Sequence, residues 1–121
     1  MAQTIFERVG GFAKVRKIVS AFYDRVLEEP SLQHYFEQVA MPRLIDHQTQ
    51  FISAVMGGPA THNDEALRRV HAQHSISRTD FKTMADILRG TLEEFDVQPD
   101  DVKQVMNEIM RREVFIITRQ D

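Results

Sequence analysis

The sequence predicts an all-α protein. Apolar residues recur at three- and four-residue spacing over four long stretches, which is the repeat of an amphipathic helix. Chain breakers separate these stretches, namely Gly10-Gly11, Pro42, Gly57-Gly58-Pro59 and Pro99. No stretch of the sequence sustains the alternation of apolar and polar residues that marks a half-buried strand. We therefore expect four substantial helices and two or three short ones, in a single domain over residues 1–121.

The predicted long helices follow one another along the chain. Their apolar stripes run over residues 12–26, 44–55, 81–95 and 102–109, and the third stripe is the cleanest. Pro99 suits the first turn of the last of these helices, and Asp100 and Asp101 favour its N-terminus while remaining solvated. A short helix is predicted around residues 67–74. Residues 114–117 continue the last stripe without a breaker.

Composition excludes several classes of function. The 121 residues carry a formal charge of −3 and no basic block, so we expect no binding of nucleic acid or of an anionic membrane surface. Cysteine is absent, which excludes disulfides, thiolate zinc sites, iron–sulfur clusters and cysteine nucleophiles. No apolar run approaches the roughly 20 residues of a membrane span, and the N-terminus lacks the pattern of a signal peptide. We therefore predict a cytoplasmic protein.

Two histidines lie on or beside apolar stripes and are candidates for binding a ligand. His47 and His71 would each be a partly buried histidine with a backbone hydrogen bond if neither had a function. A zinc site is one alternative, because His71 and His74 are three residues apart and Asp64 or Glu65 would add a carboxylate. This spacing matches no common closed zinc site, and cysteine is absent.

Two polar residues interrupt otherwise apolar stripes. Tyr23 stands beside Phe22, and Gln48 stands between Leu44 and Phe51. Both side chains either face water or form a polar patch inside an apolar pocket, where they would supply hydrogen bonds to a small ligand. The sequence contains no nucleophile elbow, P-loop, dinucleotide fingerprint or paired-carboxylate motif.

Five short segments, taken in order, resemble a known family. They are residues 5–11 (IFERVGG), 22–27 (FYDRVL), 35–36 (YF), 47–51 (HQTQF) followed by 57–59 (GGP), and 70–71 (VH) with Ile76 and Phe81 beyond. In this order and spacing they resemble the truncated hemoglobins, or 2/2 globins, most closely those of group 1. The resemblance covers the chain from Ile5 to about Ile117. It implies a globin-like, two-over-two helical sandwich around heme b.

The resemblance also implies roles for single residues. His71 matches the proximal iron ligand, with Val70 just before it. Tyr23 matches a distal tyrosine whose hydroxyl would donate a hydrogen bond to the bound gas, and Gln48 would reinforce that bond. Phe36 would pack on the heme face. The other residues expected around the heme are Leu44, Phe51, Ile76, Phe81, Met84 and Leu88, with Arg43, Arg68 and Arg69 as candidate partners of the propionates.

The sequence departs from the family pattern at two places. Leu44 stands where globins often have a polar distal residue, and His47 follows one turn later. In some cyanobacterial members a histidine at that place closes onto the iron, so His47 is the candidate distal iron ligand; alternatively, it swings out to a propionate or to solvent. His62-Asn63-Asp64 replaces the usual Tyr-x-Gly, which puts Asp64 at a position that often requires glycine.

The resemblance implies reversible binding of diatomic gases, O2, NO and CO. Oxidation of nitric oxide to nitrate by bound O2 is an additional activity, and it would need an external reductase. The first alternative is a redox or sensing protein with a bis-histidyl iron held by His47 and His71. The second alternative is a helical interaction module without heme. We expect a monomer or a weak dimer.

Overall fold

The structure, a computed structural model, describes residues 3–60 and 75–117. Its elements are α1 (Ile5–Val9), α2 (Phe12–Glu28), a 3₁₀ helix (Gln33–Phe36), α3 (Met41–Val55), α4 (Arg78–Glu94), α5 (Pro99–Arg111) and α6 (Glu113–Ile116). These two ranges contain helices and no β-strand, so the all-α prediction is confirmed. The helix predicted around residues 67–74 lies outside the described residues, and the single-domain assignment stays a prediction.

Local sequence signals explain where several helices begin. Thr4 and Glu7 form a capping box at α1, in which the Thr4 hydroxyl accepts from the Glu7 N–H at 3.1 Å. Gly10 and Gly11 have φ angles of 122° and 84°, and this backbone conformation allows the tight turn from α1 into α2. Ser77 caps α4 by accepting from the Asp80 N–H at 3.0 Å. Pro99 is in the first turn of α5, as predicted.

The long helices pack as two pairs. Helix α2 packs against α3, and α4 packs against α5, while α2 also contacts α4 and so joins the pairs. The fully buried core comes mainly from α2 and from the α4–α5 pair; its members include Val15, Ile18, Val19, Val26, Leu92 and Val105. Each fully buried aliphatic side chain contributes ~1.5–3 kcal/mol to folding. This arrangement is the two-over-two helical sandwich that the resemblance implied.

The last helical stripe is interrupted at Arg112, where the sequence predicted continuity. Helix α5 ends at Arg111, and the Arg112 N–H bonds to the Ile109 carbonyl three residues back, at 3.1 Å. The Arg112 guanidinium donates to the Glu108 carbonyl at 2.8 Å. The side chain therefore satisfies a carbonyl at the helix end and stabilises the interruption.

Asp101 is buried and ion-paired, so the expectation that it is solvated was wrong. Its residue surface is 5% exposed. The Arg8 guanidinium donates to both of its carboxylate oxygens, at 2.8 Å and 2.9 Å, and so ties α1 to α5. This hydrogen-bonded pair lowers the pKa of Asp101 below its usual range. Arg8 is 93 positions away in the chain, which is why local periodicity did not reveal the pair.

Candidate functional site

A cavity of about 310 Å³ lies between the two helix pairs. Its walls come from α2, the 3₁₀ helix, α3, α4, and the α5–α6 end of the chain. The structure brings together nine of the residues that the sequence assigned to one site: Tyr23, Phe36, Leu44, Gln48, Phe51, Ile76, Phe81, Met84 and Leu88. These residues are up to 65 positions apart between Tyr23 and Leu88, so the fold assembles the site from distant segments.

Tyr23 and Gln48 form a polar pair in this apolar lining. Tyr23 is 5% exposed, and the half-buried Gln48 amide lies close enough to its hydroxyl to influence its pKa through hydrogen bonding. Burial raises the pKa of Tyr23 well above its ordinary value, although Gln48 acts in the opposite direction. The hydroxyl therefore keeps its proton at neutral pH and remains a donor. Of the two alternatives for these side chains, the structure favours the pocket over exposure to water.

Aromatic rings fix the position of Tyr23. Phe22 packs edge-on against the Tyr23 ring with centroids 4.8 Å apart, and Phe36 packs against it at 5.9 Å and 72°. Such edge-to-face pairs hold a ring in one orientation and add ~0.5–1.5 kcal/mol beyond their buried area. The contact also brings Phe36, from the 3₁₀ helix, to the same part of the cavity wall.

The remaining predicted site residues lie elsewhere. His47 is exposed on α3 and is not among the residues that line the cavity. Arg43, the candidate partner of a propionate, is also exposed on α3. Arg68, Val70 and the predicted proximal ligand His71 lie outside the described residues, as do all candidate ligands of the zinc alternative. Within residues 3–60 and 75–117, no three His, Cys, Asp or Glu side chains are grouped to hold a metal ion.

The structure adds lining residues that the sequence assignment omitted. They are Phe22, Tyr35, Val39, Ile52, Ala85, Ile109 and Ile116. Ile109 belongs to the predicted stripe of α5, and its periodicity signalled burial without indicating which surface it covers. Tyr35 belongs to the aromatic pair that the resemblance singled out, but only Phe36 was assigned a role.

One charged side chain lies close behind the lining. The Arg112 guanidinium, 8% exposed as a residue, lies 5.8 Å from the centroid of the Phe51 ring. Its cation–π contact stabilises the position of Phe51. Arg112 therefore joins the end of α5 to the α3 wall.

Comparisons with known proteins identify the family. The chain matches the profile of the family described as "Bacterial-like globin" over residues 4–117. This chain is a bacterial-like globin. It is 30% identical over 106 residues to a group 1 truncated hemoglobin of Synechocystis sp., covering 84% of this chain and 86% of that protein. The resemblance to the group 1 truncated hemoglobins is thus confirmed.

Solved structures agree with the globin fold. The hemoglobin of the thermophilic phototrophic bacterium Chloroflexus aurantiacus superposes with a TM-score of 0.80 and 28% identity, over 95% of this chain and 98% of that one. The 2/2 hemoglobin of Synechococcus sp., solved in the cyanomet state with covalently attached heme, gives a TM-score of 0.87 at 24% identity, over 97% and 100% of the two chains. At 24% identity, the similarity to the Synechococcus protein shows a shared fold and no more.

The cavity of this globin fits the cofactor of its family, heme b. A porphyrin ring needs a broad apolar surface. Thirteen of the sixteen lining residues are aliphatic residues, methionine or phenylalanine, and the other three are Tyr23, Gln48 and the half-buried Tyr35. The polar pair is placed at the wall built by α2 and α3. None of the described helices has the length and apolar character that a membrane crossing requires.

Proposed function

We propose that this globin holds heme b in the described cavity and there binds the diatomic gases O2, NO and CO reversibly. The observation that carries this proposal is the Tyr23–Gln48 pair, two neighbouring polar side chains in an otherwise largely apolar lining. Family membership supplies the cofactor, and heme iron supplies the reversible coordination of the gas.

The described side chains would divide the work in the cavity. Phe36 and Phe81 would pack against the porphyrin and exclude water. Tyr23 would donate a hydrogen bond to a gas that carries partial negative charge, and Gln48 would hold the hydroxyl in place. In a dry cavity each such donor stabilises the bound gas by ~1–3 kcal/mol. His71, by resemblance, is the proposed proximal ligand.

Oxidation of nitric oxide to nitrate is proposed as an activity of the same cavity. The apolar lining admits an uncharged molecule such as NO, and the Tyr23 hydroxyl would retain O2 for the reaction. One O2 and one NO give nitrate, and an external reductase must return one electron to the iron. Location in the cytoplasm and a monomeric or weakly dimeric state remain predictions from the sequence.

The first test is the absorption spectrum of the purified protein, ferric and dithionite-reduced, with heme supplied during expression. A Soret band supports the proposal, and its absence would favour the heme-free interaction module. A five-coordinate ferrous spectrum is expected, because His47 is exposed and outside the lining. A six-coordinate low-spin spectrum would instead favour the bis-histidyl alternative.

The second test concerns the proximal ligand and has a matched control. His71→Ala should abolish stable heme binding, whereas His74→Ala, three residues away, should leave the spectrum unchanged. Retention of a normal heme spectrum by the His71 variant would contradict the assignment. Added imidazole should restore the spectrum of His71→Ala if the cavity itself is intact.

A further inference from the structure

A hydrogen bond that does not involve Tyr23 or Gln48 joins two segments that line the cavity. Tyr35 lines the cavity from the 3₁₀ helix, and its hydroxyl donates to Oδ2 of Asp80 at 2.5 Å. Asp80 belongs to the first turn of α4. The carbonyl oxygen of Ser75 lies 3.2 Å from the same hydroxyl. Tyr35 and Asp80 are 45 positions apart, so the bond connects segments that are distant in the sequence.

The surroundings of Asp80 make this bond structurally consequential. Asp80 is 9% exposed and lies between Ile76 and Phe81, both of which line the cavity. Its own N–H donates to the Ser77 hydroxyl, so its backbone is fixed by the cap of α4. The position of the carboxylate is therefore coupled to the segment 76–81, of which Ile76 and Phe81 line the cavity.

The surroundings of Tyr35 are equally defined. Phe36 follows it directly and packs on Tyr23, so the 3₁₀ helix carries part of the opposite wall. The exposed His34 ring covers Tyr35, with ring centroids 4.0 Å apart. Tyr35 thus separates the cavity from solvent, and its hydroxyl is the group that reaches α4.

We propose that Tyr35 and Asp80 act as a clasp across the cavity and slow the release of heme, an inference that rests on the proposed function above. They are positioning residues, because they hold Phe36 and Phe81 in place rather than react. A hydrogen bond to a charged, nearly buried carboxylate is among the stronger ones in proteins. Its loss should raise the rate of heme release roughly tenfold.

The chain offers a closely matched control for this bond. Asp80 and Asp101 are each the third residue of their helix, are 9% and 5% exposed, and each accept a side-chain hydrogen bond from a distant segment. Asp101 does not line the cavity and binds Arg8 instead. Asp80→Asn and Asp101→Asn therefore remove the same charge from the same helical position, and only the first weakens the clasp, by replacing its carboxylate acceptor with a neutral amide.

The test measures transfer of hemin from the holoprotein to excess apomyoglobin. We expect Tyr35→Phe to speed transfer roughly tenfold and Asp80→Asn to speed it by a smaller factor, with Asp101→Asn within about twofold of wild type. The double variant should be no faster than Tyr35→Phe alone, because both changes act on one bond. Equal acceleration by Asp80→Asn and Asp101→Asn, at equal loss of apoprotein stability, would overturn the clasp.

Hydrogen exchange of the apoprotein tests the clasp without heme. Asp80→Asn and Tyr35→Phe should both speed amide exchange in residues 33–36 and 76–81. Asp101→Asn should instead speed amide exchange in residues 5–9 and 99–103. Unchanged exchange in the first two segments would contradict the inference. A wild-type protein that binds no heme would refute the proposed function, whereas normal binding with wild-type release by both clasp variants refutes the clasp alone.

Discussion

The Tyr23 hydroxyl and the Gln48 side chain lie close together at the wall of the cavity, between α2 and α3. The Tyr23 ring is held by Phe22 and Phe36, so the hydroxyl has little freedom to turn away. Ordering of the donor before the gas arrives removes the entropic cost of arranging it at the moment of binding. Under the proposed function, this arrangement would favour a bound gas that carries partial negative charge.

Removal of either member of the pair should weaken the retention of O2. We expect Tyr23→Phe to raise the O2 dissociation rate about tenfold or more, because a donor in a dry cavity contributes ~1–3 kcal/mol. Gln48→Leu should have a smaller effect in the same direction, since Gln48 acts mainly through Tyr23. Stopped-flow mixing of the oxygenated protein with dithionite and CO measures these rates.

Carbon monoxide supplies the control for this prediction. CO bound to iron carries less negative charge than O2, so its dissociation rate should respond much less to Tyr23→Phe. A similar acceleration of both gases would indicate a general loosening of the cavity. An unchanged O2 rate would mean that the hydroxyl does not contact the bound gas.

Replacement of His47 should leave the ferrous spectrum unchanged. His47 is exposed and is absent from the cavity lining, while its neighbour Gln48 faces the cavity. Consecutive residues on a helix point about 100° apart, so both side chains do not face the cavity at once without rearrangement of α3. The measurement compares reduced spectra of wild type and His47→Ala. Conversion of a low-spin spectrum to a five-coordinate one would contradict this expectation.

The sequence predicted the lining better than it predicted the pairs that hold the lining in place. Periodicity and resemblance together located Tyr23, Phe36 and Gln48, because a helical stripe and a family motif are both local signals. The partners of Tyr35 and Asp101 are 45 and 93 positions away, and no local pattern specifies such contacts. The sequence also predicted that Asp100 and Asp101 are both solvated, but the fold buries Asp101.

Gly58 should not tolerate a side chain. A Cβ at this position would lie 2.6 Å from the ring of Phe6, which α1 holds against the end of α3 through a 3.0 Å bond from the Phe6 N–H to the Met56 carbonyl. We expect Gly58→Ala to lower the free energy of unfolding by about 1–3 kcal/mol, because one of the packed segments must shift. Urea denaturation of the apoprotein measures this change.

Gly90 provides the matched control for Gly58. It is inside α4, and apart from its chain neighbours and the adjacent backbone of its own helix, no atom of the described residues lies within 4 Å of the position that its Cβ would occupy. Gly90→Ala should therefore raise the free energy of unfolding by about 0.5–1 kcal/mol through helix propensity. If both variants were destabilised equally, the close approach of Phe6 would not be the cause.

Ser53→Ala should leave the protein as stable as wild type or more stable. The Ser53 hydroxyl is fully buried in α3, and its oxygen has no hydrogen-bond partner among the described residues. Its removal relieves an unsatisfied polar group and improves helix propensity, so we expect a gain of about 0.5–1 kcal/mol.

Thr91→Val is the comparison for Ser53. The Thr91 hydroxyl is also buried, but it donates to the Ile87 carbonyl at 2.8 Å and accepts from Arg25 at 3.2 Å. Its loss should destabilise the protein by about 1 kcal/mol. Thermal unfolding of both apoproteins distinguishes the two sites, and a loss of stability in Ser53→Ala would show that its hydroxyl has a partner in solution.

The Arg8–Asp101 pair should make stability depend on pH in a defined direction. The pKa of Asp101 is lower in the folded protein than its ordinary value of about 3.9, because Arg8 stabilises the carboxylate. Its contribution is therefore fully present above about pH 5 and is lost as the pH falls through the unfolded pKa towards the folded one. Asp101→Asn should lower the melting temperature by about 5 °C at pH 7, and this difference should shrink below about pH 4.

Calorimetric scans of wild type and variant between pH 3 and pH 7 measure this difference in melting temperature. Asp100→Asn, at the neighbouring exposed position, is the control. A difference that stays constant down to pH 3 would show that the carboxylate titrates alike in both states, and the ion pair would then contribute no pH dependence.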